Sequence, residues 1–355
     1  MLTSTMVIDL QFGSTGKGSL VGYLAQQQDP DTTVSAWGPN AGHTFVDRFG
    51  NTFIHTMLPI AAVHPSVSNV LLGPASVIHW DNLVKEVTAM QVQLDRPRHF
   101  TLFVHPQSIT LLPQHVAAER ALVKIGSTMK GTGAAAMEKM QRDPDRLSPL
   151  TRDNLHTLLP HTERLAAMGV KVIVDETAYN EAVDRSAHMM IEGAQGYSLG
   201  LHRKFWPHTT SREIAPSQVL SDCALPVTKN MHVAGCLRTY PIRVANRYND
   251  SGEQIGTSGA YYSDQREMTW DEVGQPTELT TVTKLPRRVF SFSYQQLHEA
   301  VRLCNPDTLF LNFANYLSGP DEVEQMAKDI DEAAPTAAYV RWLGYGPSVT
   351  DVRER

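Results

Sequence analysis

Val7-Ile8-Asp9-Leu10-Gln11-Phe12 runs into Gly13-Ser14-Thr15-Gly16-Lys17-Gly18-Ser19 and then into the helix-forming stretch Leu20 to Gln28. An apolar strand that meets three glycines, a lysine and small hydroxyl residues ahead of a helix can wrap backbone N–H groups around a phosphate. The spacing is not the Walker pattern, which sets four residues between the first glycine and Gly-Lys. Here only Ser14 and Thr15 intervene. Taken alone, the segment reads equally well as a Gly-rich strand-to-helix turn.

Working outward, strand-like and helix-like runs alternate along the chain. Asn69 to Leu72, Phe100 to Val104, Val170 to Val174, Met189 to Ile191, Val233 to Leu237, Thr308 to Leu311 and Ala337 to Trp342 are expected strands. Asp81 to Gln91, with Asp81 as N-cap, Pro113 to Ile125 and Asp321 to Ala333 are expected helices. This alternation predicts an α/β fold with a mostly parallel central sheet, flanking helices and insertions. One domain is expected over residues 1–355, with insertions near 142–165 and 246–275.

Composition narrows the class. A formal net charge of -6 argues against a protein that coats nucleic acid or lies on a membrane surface. The three cysteines, Cys223, Cys236 and Cys304, are far apart, so a reducing compartment, the cytoplasm, is expected (the host's if the chain is viral). No signal peptide or run of 18 apolar residues is evident.

Four further segments are too polar and glycine-rich to be core. They are Trp37-Gly38-Pro39-Asn40-Ala41-Gly42-His43-Thr44, Gly126 to Gly133, Glu192-Gly193-Ala194-Gln195-Gly196 with Thr209-Thr210-Ser211-Arg212, and Lys284-Leu285-Pro286-Arg287-Arg288. Each has an ordinary reading: a buried structural histidine, a capped turn, a solvated pair of arginines. Together they are what a ligand site assembled from several strand-end loops requires.

These segments resemble the adenylosuccinate synthetase superfamily. Gly13 to Ser19 is similar to its G-D-E-G-K-G-K, Pro39 to Thr44 to its N-N-A-G-H-T, and Glu192 to Gly196 to its E-G-A-Q-G; Thr209 to Arg212 is close to its V-T-S-S. The resemblance implies a fold related to P-loop NTPases and a ligase that forms a C–N bond. A triphosphate phosphorylates the 6-oxygen of a purine nucleotide, and the amine of L-aspartate then displaces phosphate. It implies catalytic roles for Ser14, Lys17 and His43. It places the triphosphate at Gly13, Thr15, Gly16, Lys17, Gly18, Gly42, His43, Thr44, Asn312, Asn315, Gly346 and Pro347. The purine nucleotide falls to Ser14, Asn40, Ser127, Thr128, Arg142, Gln195, Leu199, Thr210 and Val244. Aspartate falls to Thr281, Thr283, Arg287 and Arg288, and Mg²⁺ to Ser14 and the Gly42 carbonyl. Arg142 would reach the partner's nucleotide in a homodimer.

Three departures from the family refine this expectation. Ser14 stands where the family has its catalytic aspartate, leaving room beside N1 where guanine carries its 2-amino group; a serine hydroxyl is a poor base. Asn312-Phe313-Ala314-Asn315 stands where the family reads GTP with T-K-x-D, and an amide at Asn315 suits adenine edges, favouring ATP or dATP. Leu285 stands where the family has an arginine near the ribose, which suits a 2′-deoxy sugar. These changes resemble the phage-type branch of the family, whose substrates are dGMP, aspartate and ATP and whose product leads to diaminopurine (base Z) DNA. An ordinary adenylosuccinate synthetase acting on IMP and a silent nucleotide binder are the alternatives.

Overall fold

Thr3–Asp9 (β1) is buried from Ser4 to Asp9 and runs through the middle of the molecule. Its side chains alternate between two apolar layers: Met6 and Ile8 pack into one, Val7 into the other. A strand covered on both faces reads as a continuous apolar run, which is why this one was visible in sequence. The computed structural model describes residues 3–122, 128–143, 155–227, 230–249, 251–280 and 285–355.

The main sheet has ten strands. In chain order they are β1, β2 (Thr32–Ser35), β3 (Asn69–Leu72), β4 (Phe100–Val104), β5 (Val170–Val174), β6 (His188–Glu192), β7 (Met231–Arg238), β8 (Thr308–Asn312), β9 (Tyr339–Gly344) and β10 (Val352–Glu354). Across the sheet they lie β10-β9-β8-β7-β1-β6-β2-β3-β4-β5. All neighbours pair in parallel except β10, which is antiparallel to β9. The expected α/β class and mostly parallel sheet are therefore borne out. Parallel pairing puts the carboxyl ends of β1, β2, β6, β7, β8 and β9 on one edge, and every motif singled out above except those near residues 126–133 and 284–288 leaves from it.

Helix α1 (Lys17–Gln28) starts directly from the glycine loop, with Gly16 as a left-handed N-cap, and buries Leu20, Val21 and Leu24. Helix α2 (Trp80–Gln93) corrects one expectation: His79, not Asp81, is the N-cap, its ring accepting from Asn82 N–H at 3.4 Å. Asp81 instead occupies the first turn, where a carboxylate meets the helix dipole, and pairs with His161 at 3.2 Å. The helix Leu159–Ala167 buries Leu165 in the core and leads into β5. The tail of the expected excursion near 142–165 thus belongs to the main body, and residues 144–154 lie outside the described ones. The 246–275 stretch leaves the large sheet. It forms the hairpin Arg247–Tyr248 with Gln254–Gly256, and Glu267–Met268 joins a small sheet with Arg288–Phe290 and Ile242–Arg243. Buried Tyr262 in this stretch packs on Phe12 and Phe205 and so ties it to the glycine loop.

Candidate active site

The glycine loop is organised from beneath by Asp9, the last residue of β1. One carboxylate oxygen accepts from Gln11 N–H (2.8 Å) and Gly13 N–H (3.2 Å); the other accepts from the Thr15 hydroxyl (2.6 Å) and Lys17 Nζ (3.3 Å). The Asp9 side chain is wholly buried, so these charge-assisted bonds are screened little by water. Lys17 also donates to the Gln195 carbonyl at 2.9 Å, joining the loops after β1 and β6. Gly16, at φ 89°, takes the left-handed conformation, and a Cβ there would fall 1.9 Å from Asn312 Nδ2. Ser14 is left-handed as well, at φ 56°.

His43 opens the hairpin His43–Val46 with Thr52–His55, where it lies opposite His55. Its Nδ1 hydrogen-bonds a carboxylate oxygen of Glu192, the last residue of β6. The other oxygen of Glu192 accepts from Ile60 N–H at 2.7 Å. Among the described residues no hydrogen bond occupies His43 Nε2, which is thus available to a ligand. The Trp37 ring covers the imidazole, centroids 4.4 Å apart. Burial pushes the His55 pKa down, which favours a neutral ring beside His43.

Around Ser14 the chemistry changes. Its hydroxyl accepts from Arg287 Nη1 at 3.0 Å and its carbonyl from Arg238 Nη1 at 3.3 Å. Arg238, fully buried at the end of β7, pairs with Glu278 at 2.5 Å and stacks on Phe313 at 3.9 Å. Arg287 also donates through Nε to the Leu279 carbonyl at 3.2 Å; burial and the Arg238 charge lower its pKa. Two guanidinium groups thus face one carboxylate beside Ser14, a surplus of positive charge suited to an anionic substrate.

The remaining expected residues divide into those facing the cleft and those turned inward. Asn40 sits in the turn closed by Ala41 N–H to Gly38 O, which abuts Thr132, the first residue of the helix Thr132–Gln141; Thr128 lies just upstream of that helix. The side-chain oxygen of Gln195 is buried and has no hydrogen-bond partner among the described residues. Thr210 N–H donates to the Leu199 carbonyl at 2.7 Å, and Arg243, beside exposed Val244, stacks on Phe12. Gly42, Thr44, Asn315 and Pro347 are exposed and Gly346 half-buried, with a bridge from Val46 to Ser348 bringing the hairpin to the Gly346-Pro347 turn. Arg142, exposed, caps the end of the helix Thr132–Gln141. Asn312 is turned inward: its amide donates to the Thr15 carbonyl (3.2 Å) and its oxygen accepts from Phe313 N–H (2.8 Å). It braces the glycine loop instead of presenting an edge to a base. Arg288 is likewise engaged, bidentate on Glu267 at 2.7 Å and bonded to Ser258 and Gly259. Ser127, Thr281 and Thr283 lie outside the described residues.

Among the described residues no group of three or more His, Cys, Asp or Glu side chains is placed to hold a metal ion. The Gly42 carbonyl and the Ser14 hydroxyl, the latter accepting from Arg287, are neutral oxygens. They fit a Mg²⁺ ion that brings most of its ligands as triphosphate oxygens and water. Among the described residues no helix is long and apolar enough to cross a membrane.

The chain as a whole is similar to known proteins. The adenylosuccinate synthetase family model matches residues 6–168 and 152–328. The N6-succino-2-amino-2′-deoxyadenylate synthase of Salmonella phage PMBT28 is 42% identical, over 98% of this chain and 96% of that protein. The enzyme of the same name from Cyanophage S-2L is 40% identical over 98% of this chain and 91% of its own. The adenylosuccinate synthetase of Levilactobacillus brevis is 28% identical over 90% of this chain and 78% of its own. Among solved structures, the Cyanophage S-2L succinoaminodeoxyadenylate synthetase, bound to dGMP and to dATP as an energy donor, superposes with a TM-score of 0.86 at 38% identity, over 100% of this chain and 95% of that one. The Plasmodium falciparum adenylosuccinate synthetase, at 18% identity and a TM-score of 0.77 over 99% of each chain, shares the fold.

Proposed function

The chain belongs to the adenylosuccinate synthetase family, and from that premise we propose that it joins L-aspartate to C6 of dGMP at the expense of ATP or dATP. The reaction runs in two displacements. The 6-oxygen of the purine attacks the γ-phosphorus, the bond to the β-phosphate breaks, the nucleoside diphosphate leaves and the N1 proton is lost. The aspartate amine then attacks C6, the C6–O bond breaks, inorganic phosphate departs and the nitrogen gives up a proton. The observation that carries this reading is the near-full-length identity of 42% to a phage enzyme of that name, joined to a site holding Ser14 where the broader family has aspartate.

The geometry supports a role for each residue. Lys17, held between Asp9 and the Gln195 carbonyl, is aimed at the transferring phosphate, with the loop N–H groups around it. Glu192 fixes His43 through Nδ1; with a proton on each ring nitrogen, Nε2–H donates to the phosphoryl group or the 6-oxygen. The side-chain oxygen of Gln195, without a partner among the described residues, holds the purine nucleotide together with Asn40, Thr128 and Thr210. The short Ser14 side chain leaves space for the 2-amino group, and Arg287 grips a carboxylate of aspartate. The Gly42 carbonyl would hold a Mg²⁺ ion carried by the triphosphate, and that ion would supply neutralisation of phosphate charge. Exposed Arg142 reaches the nucleotide of a second subunit in a homodimer.

Phosphate release with aspartate and ATP or dATP, compared between dGMP and IMP, tests the proposal. Turnover with dGMP is expected. Turnover with IMP alone would reject the substrate, and none with either would leave a silent nucleotide binder.

A further inference from the structure

We infer that Trp37 is a positioning residue for His43 and that Glu86, on α2, is the anchor through which it acts. The inference rests on His43 serving the reaction proposed above. It adds a second, independent restraint on the imidazole.

A single hydrogen bond through Nδ1 leaves a ring free to swing about the bond axis. Glu192 supplies that bond and therefore fixes only one edge of His43. The face is fixed by Trp37, 3% exposed, whose ring lies 4.4 Å from the imidazole at an interplanar angle of 31°. Edge and face together allow one orientation, and they direct Nε2 outward.

Trp37 is itself tethered, because its indole Nε1–H donates to the Thr56 carbonyl at 2.8 Å. The segment that supplies this carbonyl is held by Glu86. That carboxylate accepts from Thr56 N–H (2.6 Å), the Thr56 hydroxyl (2.6 Å), Met57 N–H (2.9 Å) and Leu58 N–H (3.0 Å). Glu86 is only 9% exposed and forms no ion pair with lysine or arginine among the described residues. Burying a carboxylate without a counter-ion is costly, and here every bond it makes goes to one turn of chain. At the far end of that turn, Ile60 N–H is held by Glu192, the carboxylate that also grips His43. The 56–60 segment is thus pinned at both ends by buried carboxylates, and both restraints converge on one imidazole.

The test is a double-mutant cycle on kcat and KM, supported by ring NMR of His43. Trp37→Ala is expected to lower kcat by about tenfold or more, with KM for dGMP within about twofold, as misplacing a reacting group does. Trp37→Phe keeps an aromatic ring over His43 but loses the indole N–H and the second ring, so a loss of about threefold, smaller than for Trp37→Ala, is expected. In a His43→Ala background, Trp37→Ala is expected to cost less than about twofold, because positioning has nothing left to act upon. An equal loss in both backgrounds, or a rise in KM with kcat unchanged, would overturn the inference. Without turnover, ¹⁵N-edited NMR reads the same claim: the His43 Nδ1 proton should exchange faster in Trp37→Ala than in the parent. Unchanged exchange would overturn the positioning role, whereas an inactive parent protein with altered exchange in the variant would count only against the proposed reaction.

Discussion

The Lys17–His43 side of the site and the Ser14–Arg287 side are built by opposite means. On the first, three buried carboxylates, Asp9, Glu86 and Glu192, spend their bonds on the protein's own N–H groups, hydroxyls, Lys17 and His43. On the second, the groups beside Ser14 are two arginines against a single glutamate, at the end of a loop whose neighbours are partly exposed. The difference separates two demands. Phosphoryl transfer needs groups that do not move as charge develops, which favours preorganised and dry surroundings. Substrate choice needs groups that can change without unfolding the protein, and two departures from the wider family, Ser14 and Phe313, which stacks on Arg238, lie on the second side.

Mutations should therefore divide by side, in size and in kind. The largest effect is expected for Asp9→Asn, which leaves buried Lys17 and the loop donors short of an acceptor. Stability should fall by about 3–5 kcal/mol and kcat by about a hundredfold or more, read by calorimetry and phosphate release. A small loss in either would show that the loop is self-supporting. Next, Glu192→Gln should lower kcat by at least about tenfold with little change in KM, since it disturbs His43 without touching the substrate. A change in KM alone would move Glu192 to the binding side.

On the other side the effects should appear in KM. Ser14→Gly suits the left-handed backbone and removes the acceptor for Arg287, so KM for aspartate should rise about fivefold, the worth of one hydrogen bond. Ser14→Asp should instead weaken dGMP by crowding its 2-amino group; unaffected dGMP turnover would contradict that role. The smallest effect is expected for exposed Asn315→Asp, a few-fold shift of preference from ATP towards GTP, as a carboxylate accepts from the guanine N1–H and N2–H. An unchanged ratio would remove Asn315 as the selector.

The fold was largely legible because its strands are covered on both faces. Asn69–Leu72, Phe100–Val104 and Val170–Val174 begin and end where the apolar runs do. The glycines and Lys17 were legible because a phosphate cradle needs them in one short stretch. Trp37 and Glu192 stood in site segments without a role, and Asp9, Glu86 and Arg238 were not assigned to the site. Glu86, Glu192 and Arg238 meet partners far off in the chain, Arg238 reaching Gln11 across 227 residues, whereas Asp9 meets Gln11, Gly13, Thr15 and Lys17 close by. A signal was present nonetheless: the runs Met6–Ile8, Met189–Ile191, Val233–Leu237 and Thr308–Leu311 are each followed by a polar residue, Asp9, Glu192, Arg238 and Asn312, at the edge where the site forms. Asn312 and Arg288 were misleading for the complementary reason. Their chemistry suits a ligand, but neighbouring backbone and Glu267 already satisfy it.

The central claim, that the 6-oxygen of dGMP is phosphorylated and then displaced by aspartate, is tested most directly by following that oxygen. With dGMP labelled with ¹⁸O at the 6-position, aspartate and ATP or dATP, the account predicts that the released inorganic phosphate carries one ¹⁸O atom for each nucleotide converted. Unlabelled phosphate, or label transfer from 6-¹⁸O IMP and none from dGMP, would contradict it.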